Sequence, residues 1–515
     1  MDKIRFTEYV FPLLLILSFT LVYAIIFDSK LDINGDNASY YILGKSIAMG
    51  DGYTAIHLAP ARSANHYPPG YPALIAMVMK LINSEINTIK VFNGVLFLLS
   101  ILLLFKIALV IGFDVRMAFL LCIYIMLNKH LLLSSTIMMS EIPFLCFSLA
   151  VIYLFLKTDL TKSPFKGLNF IAVIVLAVAC LYIRTIGIAL ICGIALYLII
   201  NKSFKHLATF SIAIIAGYFP WYLRGESLGG NSYLKSLAYK NIYRPELGFM
   251  QPGDWVTRFL SNLKRYLGAE IPGGILPMST YKLPNDITSL NIIIGIIIIS
   301  LALVGLLNLR QYGKLLLWYL LGFFSILLLW PEVWTGTRFM QPTIPIITIG
   351  LFASIIFITN KITRKEITFK PVLLIPAVFV TALMMAPEIK QLKNKAESRH
   401  NQAFLNYFAI ADWVSKNTSK QSIIACRKPE LFYLYAKRRA TIYKYTSDDI
   451  ELIEDMKRRK VDYVIVDNLG FSTTGRYLVP AINKNPDKFQ MLIHLKNPDT
   501  YLLRVKNVSE ASPGN

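Results

Sequence analysis

Asp32-Ile33-Asn34-Gly35-Asp36-Asn37-Ala38-Ser39-Tyr40-Tyr41 follows at once on the first membrane-length apolar run, Tyr9 to Phe27. Its two carboxylates therefore stand at the level where lipid meets water. Further along the same connection, His66-Tyr67-Pro68-Pro69-Gly70-Tyr71-Pro72 adds a rigid, aromatic, proline-bound turn. The connection, 28–88, is far longer than joining two helices requires, and loops of that length are usually functional.

Working outward, the chain is 515 residues long, 55% hydrophobic and only 16% charged, with a mean hydropathy of +0.52. The apolar share falls in repeated blocks of roughly 17 to 25 residues, each enough to cross a bilayer. This is the composition of a polytopic membrane protein. The first block is long for a signal-peptide core and lacks a small-x-small cleavage pattern before the acidic segment, so it reads as a retained helix. The net charge of +22 does not point to nucleic acid, because Lys and Arg fall in short connections between apolar runs and in the tail rather than in one aromatic-interleaved patch. Of the five cysteines, Cys122, Cys146, Cys180 and Cys192 lie in or beside apolar runs and Cys426 stands alone, so neither a disulfide framework nor CxxC metal spacing is present.

With the amino terminus inside, near Lys3 and Arg5, spans are predicted near 8–27, 89–111, 116–128, 138–156, 168–184, 186–200, 207–223, 290–308, 315–331, 339–359 and 371–387. That is about eleven crossings. The connections this places inside carry Arg116; Lys157, Lys162 and Lys166; Lys202 and Lys205; Arg310 and Lys314; and Lys361, Arg364, Lys365 and Lys370. Basic inner loops are the usual orientation signal. The domains that follow are 1–387, a transmembrane domain with outer loops 28–88 and 224–289, and 388–515, an extracytoplasmic α/β domain. The protein is then expected in the cytoplasmic (inner or plasma) membrane, with its elaborated face and active site on the extracytoplasmic side.

Within the first loop, Asp36 or Asn37 is placed to cap a helix striped by Tyr41, Ile42, Ala48 and Met49 and ending at Gly50 or Gly52. Tyr71 to Ile82 predicts a second helix with Leu74, Ile75, Val78, Met79 and Ile82 on one face. Both are expected to lie in the membrane interface. The tail reads as a helix over Leu405–Val414, a strand over Ser422–Cys426, helices over Pro429–Tyr435 and Asp449–Arg459, a buried strand over Val461–Asp467, and a hairpin of Phe489–Leu495 with Thr500–Val505.

Group transfer from a lipid-linked phosphosugar needs a carboxylate to take the acceptor's proton and fixed cations for the charge developing on the departing phosphate. Asp36 is the candidate base, with Asp32 behind it; the alternative is that Asp36 only caps the helix. Glu141, in Met139-Ser140-Glu141-Ile142-Pro143, begins an apolar span on the same side, where a charge is costly unless paired or functional. Its alternative role is a favourable interaction with the helix dipole. Arg338, in a short outer turn, is the candidate phosphate ligand because its forked donors suit phosphate oxygens, and Arg184 and Arg224 are further candidates. Each of these arginines could instead anchor a span end in the headgroup layer. His66 and Tyr67 belong to the substrate-facing turn. His57 and His66 lack His-x-x-His spacing and no DxD accompanies them, so no metal ligand set is assigned and no cofactor is required, with a divalent ion left open. The Asn417 and Asn507 sequons carry no role.

The ordered set Gly35-Asp36-Asn-Ala-Ser-Tyr-Tyr, His66-Tyr-Pro-Pro-Gly-Tyr-Pro, Ser140-Glu141-Ile-Pro, Pro220-Trp-Tyr-Leu-Arg224 and Thr337-Arg338-Phe-Met-Gln-Pro-Thr-Ile-Pro345 resembles the polytopic GT-C glycosyltransferases, the broad family that includes protein mannosyltransferases and lipid A aminoarabinose transferases. Trp413-Val, Arg427-Lys-Pro-Glu-Leu and Val461–Asp467 look like the extracytoplasmic domain of bacterial members. The resemblance implies a mainly α fold, a polyprenyl-phosphate-linked monosaccharide donor, inversion at the anomeric carbon, Asp36 as base, Arg338 near the donor phosphate, and a lipid, glycan or protein acceptor. The DxD-type motif of the oligosaccharyltransferase branch is missing, which favours the metal-independent branch. The competing reading is a multi-span transporter or lipid-linked sugar flippase. Transporters concentrate polar residues at the bilayer midplane, whereas here Lys106 is one of few such residues and the polar elaboration lies outside.

Overall fold

The computed structural model describes residues 2–33, 36–230, 232–278, 286–364 and 371–506. Asn34, Gly35, Lys365, Lys370 and the Asn507 sequon lie outside them. The protein is a mainly helical, multi-pass membrane protein with a small sheet domain at its carboxyl end. Its first helix, Asp2–Ile26, shows how one apolar run serves two surroundings. Leu13, Leu17, Leu21 and Ile25 repeat every four residues on the exposed side, while Leu15, Phe19 and Ile26 are buried against the bundle. Lipid is as apolar as leucine, so only close packing separates the two faces. Small residues provide that packing elsewhere: at Gly305 an added Cβ would strike the carbonyl of Gly350, so helices Ser289–Asn308 and Ile344–Thr363 touch backbone to backbone.

Seven stretches are long and apolar enough to cross a membrane: Tyr9–Ile26, Ile86–Val110, Phe204–Ser227, Ser289–Asn308, Gln311–Leu329, Thr337–Thr363 and one beginning at Val372. An eighth arises if Val115–Met126 and Lys129–Ser135, bent by 66° at their junction, make one broken span. Seven or eight stretches of that length stand against the eleven expected crossings. The difference lies in Glu141–Leu156, Leu168–Ile183 and Ile188–Ile200, which are apolar throughout but shorter than 18 residues. An apolar run reads alike whether it faces lipid or neighbouring helices. The break in the expected 116–128 span comes at Asn128, whose side chain accepts from the backbone N–H groups of His130 and Leu131 and so starts a new helix.

The two helices predicted in the first loop are Asn37–Met49, closed by Gly50 at φ +88°, and Gly70–Leu81. They pack on each other at Gly44, where an added Cβ would collide with the Ile75 side chain. Between them a minimal hairpin pairs β1 (Thr54–Ala55) with β2 (Arg62–Ser63).

The last transmembrane helix does not stop near 387 but runs unbroken over Pro371–Glu397. Beyond it β3 (Ile423–Ala425), β4 (Arg439–Thr441), β5 (Tyr463–Val466), β6 (Phe489–Leu495) and β7 (Thr500–Val505) form one sheet in the order β4-β3-β5-β7-β6. β3 runs parallel to β4 and β5, and β7 is antiparallel to β5 and β6. Helices Gln402–Asn417, Pro429–Ala436, Asp449–Arg458 and Val479–Lys484 accompany it. The sequence pattern missed β4 and Val479–Lys484, both short. This domain lies on the first loop: Ala440 N–H donates to the His57 carbonyl at 2.9 Å, and Glu430 reaches His57 at 3.7 Å.

Candidate functional site

Four charged side chains from distant parts of the chain converge. Asp36 stands at the start of helix Asn37–Met49, but its side chain caps nothing there. Instead its Oδ2 accepts from Arg338 Nη2 at 2.9 Å. Arg338 Nε donates to Glu141 Oε1 at 2.5 Å, and Arg184 Nη1 approaches the same oxygen at 2.7 Å. Two carboxylates and two guanidiniums thus form one compensated cluster, the condition under which charge survives burial. The members are unequally exposed: the Glu141 side chain is 1% accessible, whereas Asp36 is 31% and Arg338 32%. Asp36 can meet a ligand and Glu141 cannot. Glu141 Oε2 is buried with no hydrogen-bond partner among the described residues.

Each member is held by local structure. Glu141 opens helix Glu141–Leu156, and the segment before it is pinned by Asn93, whose Nδ2 donates to the carbonyls of Ile137 at 2.6 Å and Met139 at 3.2 Å. Buried Tyr71 in turn donates to Asn93 Oδ1 at 3.2 Å, joining the second interfacial helix to the site. Ser140 Oγ receives Arg184 Nη1 at 3.0 Å and meets the Tyr40 hydroxyl at 3.1 Å. Arg184 lies between helix Leu168–Ile183 and the turn Thr185–Gly187, in extended backbone. Gly70 packs directly on the preceding backbone: an added Cβ would lie 2.6 Å from the carbonyl of Tyr182.

Arg338 lies in the 3-10 turn Thr337–Thr343, reached through Gly336 at φ +111°. Two polar anchors hold this turn. Gln341 accepts from Ser134 Oγ at 2.7 Å and donates to the His130 carbonyl at 3.1 Å. On the other side, Gly336 N–H donates to Glu270 Oε1 at 3.3 Å, and Glu270 pairs with Arg265 at 2.8 Å inside a π-helical turn. Asn93, Gln341 and Glu270 were not singled out in the sequence, although a polar residue inside an apolar run is the signal that marks Asn93.

Asp36, Arg338, Arg184, His66, Tyr67 and Asp32 all line one cavity of about 1110 Å³. Its walls come from the first loop, the second loop, the carboxyl-terminal ends of helices Arg310–Leu329 and Leu168–Ile183, and the carboxyl-terminal domain. The Tyr67 ring packs against Tyr40 at 5.0 Å and against His66 at 4.5 Å, and the His66 ring stacks on Tyr233 at 5.1 Å. Burial lowers the His66 pKa, with Asp36 and Glu430 pulling it back up. Arg224 lies elsewhere. It donates to the carbonyls of Ala64 at 2.7 Å and Tyr53 at 3.3 Å, between the Tyr53 and Trp221 rings, and so braces the first loop rather than lining the cavity. Among the described residues no group of three His, Cys, Asp or Glu side chains is arranged to hold a metal ion.

The architecture around this cluster is shared with known proteins. ArnT from Cupriavidus metallidurans superposes with a TM-score of 0.61 at 11% identity, over 99% of this chain and 100% of that one. The same enzyme bound to undecaprenyl phosphate gives 0.60 at 12% identity, over 99% and 100%. The chain has the GT-C glycosyltransferase fold. The archaeal oligosaccharyltransferase AglB from Archaeoglobus fulgidus, in complex with an inhibitory peptide and a dolichol-phosphate, superposes at 0.59 with 11% identity, over 99% of this chain and 75% of that one. The dolichyl-phosphate-mannose-protein mannosyltransferase family matches residues 66–221, a stretch that holds His66, Tyr67, Glu141 and Arg184. No curated protein sequence matches the chain significantly.

Proposed function

We propose that the chain is an integral-membrane glycosyltransferase that moves a monosaccharide from a polyprenyl-phosphate donor to an acceptor on the extracytoplasmic face, with Asp36 as general base. The observation that carries this reading is the half-exposed Asp36 carboxylate, held by Arg338 at the wall of a large cavity in a GT-C fold. The undecaprenyl phosphate and dolichol-phosphate bound to two proteins of this fold support a lipid-linked donor. The basic connections support an outward-facing site.

In the reaction the acceptor hydroxyl attacks the anomeric carbon as the bond from that carbon to the phosphate oxygen breaks. The proton passes to Asp36, the configuration inverts, and the polyprenyl phosphate leaves with the bonding electron pair. Arg338 is the cation nearest the base and carries five fixed donors, of which Asp36 and Glu141 use two. Its remaining edge is available to the phosphate, where negative charge grows. Glu141, being buried, acts through Arg338 and Arg184: it fixes both guanidiniums and does not touch substrate. Among the described residues the carboxylates of the site are spent on arginines and are not grouped for a divalent ion.

The test is transfer from radiolabelled polyprenyl-phosphate sugars in membranes, followed by identification of the labelled product. Asp36→Asn is expected to abolish transfer while leaving insertion and undecaprenyl phosphate binding intact. Near-normal turnover by that variant would remove Asp36 from the mechanism.

A further inference from the structure

The cations of the cavity differ in how they are matched. Arg338 and Arg184 are paired with Asp36 and Glu141, and Arg459 is paired with Asp455 at 2.9 Å. Arg427 and Lys428, in the link between β3 and helix Pro429–Ala436, also line the cavity. Among the described residues neither has a carboxylate within 4.0 Å. Arg427 is nevertheless held in place. Its Nε donates to Thr473 Oγ1 at 3.0 Å, its guanidinium lies 4.3 Å from the Phe471 ring centre, and the Tyr243 and Tyr445 rings are each 5.9 Å away. The two terminal nitrogens of the fork are left for something else. The Lys428 ammonium shares the Phe471 ring at 5.0 Å. Burial and then the Arg427 charge push the Lys428 pKa down, while Asp36, Glu430 and Asp32 act in the opposite sense. Asp467 acts on Arg427, and Asp36, Glu430 and Asp32 on Lys428, only from beyond ion-pair distance, so two adjacent, half-buried cations face the cavity with no carboxylate in contact, a setting that suits an anion.

In the reading above the donor phosphate already has Arg338, which stands at the start of the apolar stretch Thr337–Thr363. Arg427 and Lys428 instead stand on the sheet domain outside it. We propose that Arg427 and Lys428 form an anion subsite for the acceptor, so that the acceptor is a glycan or glycolipid bearing a phosphate or carboxylate. This rests on the transferase reading above. The aromatic rings of Tyr243, Tyr445 and Phe471 beside the cations give the acceptor's sugar rings flat faces to stack on.

The experiment uses the full chain in phosphatidylcholine nanodiscs and measures binding of glucose 6-phosphate, glucuronate and glucose, with undecaprenyl phosphate titrated separately. The wild-type protein is expected to bind at least one of the two anionic sugars ten times tighter than glucose or better, and the tighter of the two names the acceptor's group. Arg427→Ala combined with Lys428→Ala should erase that preference, Lys428→Arg should keep it, and all should hold undecaprenyl phosphate within twofold of wild type. Equal binding of all three sugars by the wild-type protein would overturn the proposal. So would a tenfold loss of undecaprenyl phosphate in the double variant, which would assign these cations to the donor. An active Asp36→Asn enzyme would refute the assigned base without changing these binding constants, so the two readings fail separately.

Discussion

Replacing Glu141 by Gln tests whether the buried carboxylate works by holding two guanidiniums. The amide keeps the volume and an acceptor oxygen in the position that Arg338 and Arg184 share, but it removes the charge. Removing one partner of a buried ion pair costs about 3–5 kcal/mol, because the other charge is left uncompensated. Here Asp36 still serves Arg338, and Arg184 keeps Ser140 as an acceptor, so the lower end of that range, about 3 kcal/mol, is expected. If the loss falls on the transition state, where Arg338 must face the departing phosphate, kcat drops about a hundredfold. Undecaprenyl phosphate affinity should change less than kcat, since Glu141 does not reach the cavity. The assay is single-turnover transfer by purified protein, with lipid binding measured in parallel. A Gln variant within threefold of wild-type kcat would show that the carboxylate is an incidental helix-start charge and would undo the positioning argument.

Other substitutions test the supports of the site. Gly70→Ala places a methyl group against the Tyr182 carbonyl, and overpacking of this kind costs about 1–3 kcal/mol; the melting temperature and transfer rate should both fall, and unchanged values would mean the helix slides freely. Arg224→Ala removes donors from two backbone carbonyls, worth about 1–3 kcal/mol, so proteolysis within residues 53–67 should accelerate, and an unchanged cleavage rate would deny the bracing role. Asp467 offers a pH test. Burial raises its carboxyl from 3.8 to about 6, so the folded state binds the extra proton between those values and stability falls as pH rises through that window. The ionised form above it costs on the order of 3 kcal/mol. Asp467→Asn should therefore raise the melting temperature at pH 7.5 and lose that advantage near pH 4; an advantage independent of pH would point to packing instead.

Much of the fold was legible because the physics that builds it is local. Apolar runs of bilayer length, basic connections and the β-branched run before Asp467 state their surroundings directly. The two helices of the first loop followed from their apolar stripes and, for Asn37–Met49, a glycine stop. The number of membrane-length helices did not, since Glu141–Leu156 and its two short successors carry the same apolar composition as the longer helices, and length is all that separates them. In the site, Asp36, Glu141, Arg184 and Arg338 were each visible as charges at span ends. Their meeting, with Asp36 and Arg338 standing 302 positions apart in the chain, is a property of the packed bundle. The structure excludes the capping use of Asp36, since its oxygen is spent on Arg338 and not on the helix. Arg224 misled because a cation at a span end looks the same whether it serves a ligand or a loop. Arg427 and Lys428 were noted only as part of a motif, and the aromatic cage that orients them comes from Tyr243, Tyr445 and Phe471, far apart in the chain.

The contact from Asn93 to the residues before Glu141 ties the charged cluster to a long transmembrane helix. Ile86–Val110 is 25 residues long, more than a typical hydrocarbon layer needs, and such helices lean further as the layer thins. Any such lean carries Asn93 with it and draws on the carbonyls of Ile137 and Met139. The spacing between Glu141 and its two arginines therefore depends on how this helix sits among its neighbours, not on the local turn alone.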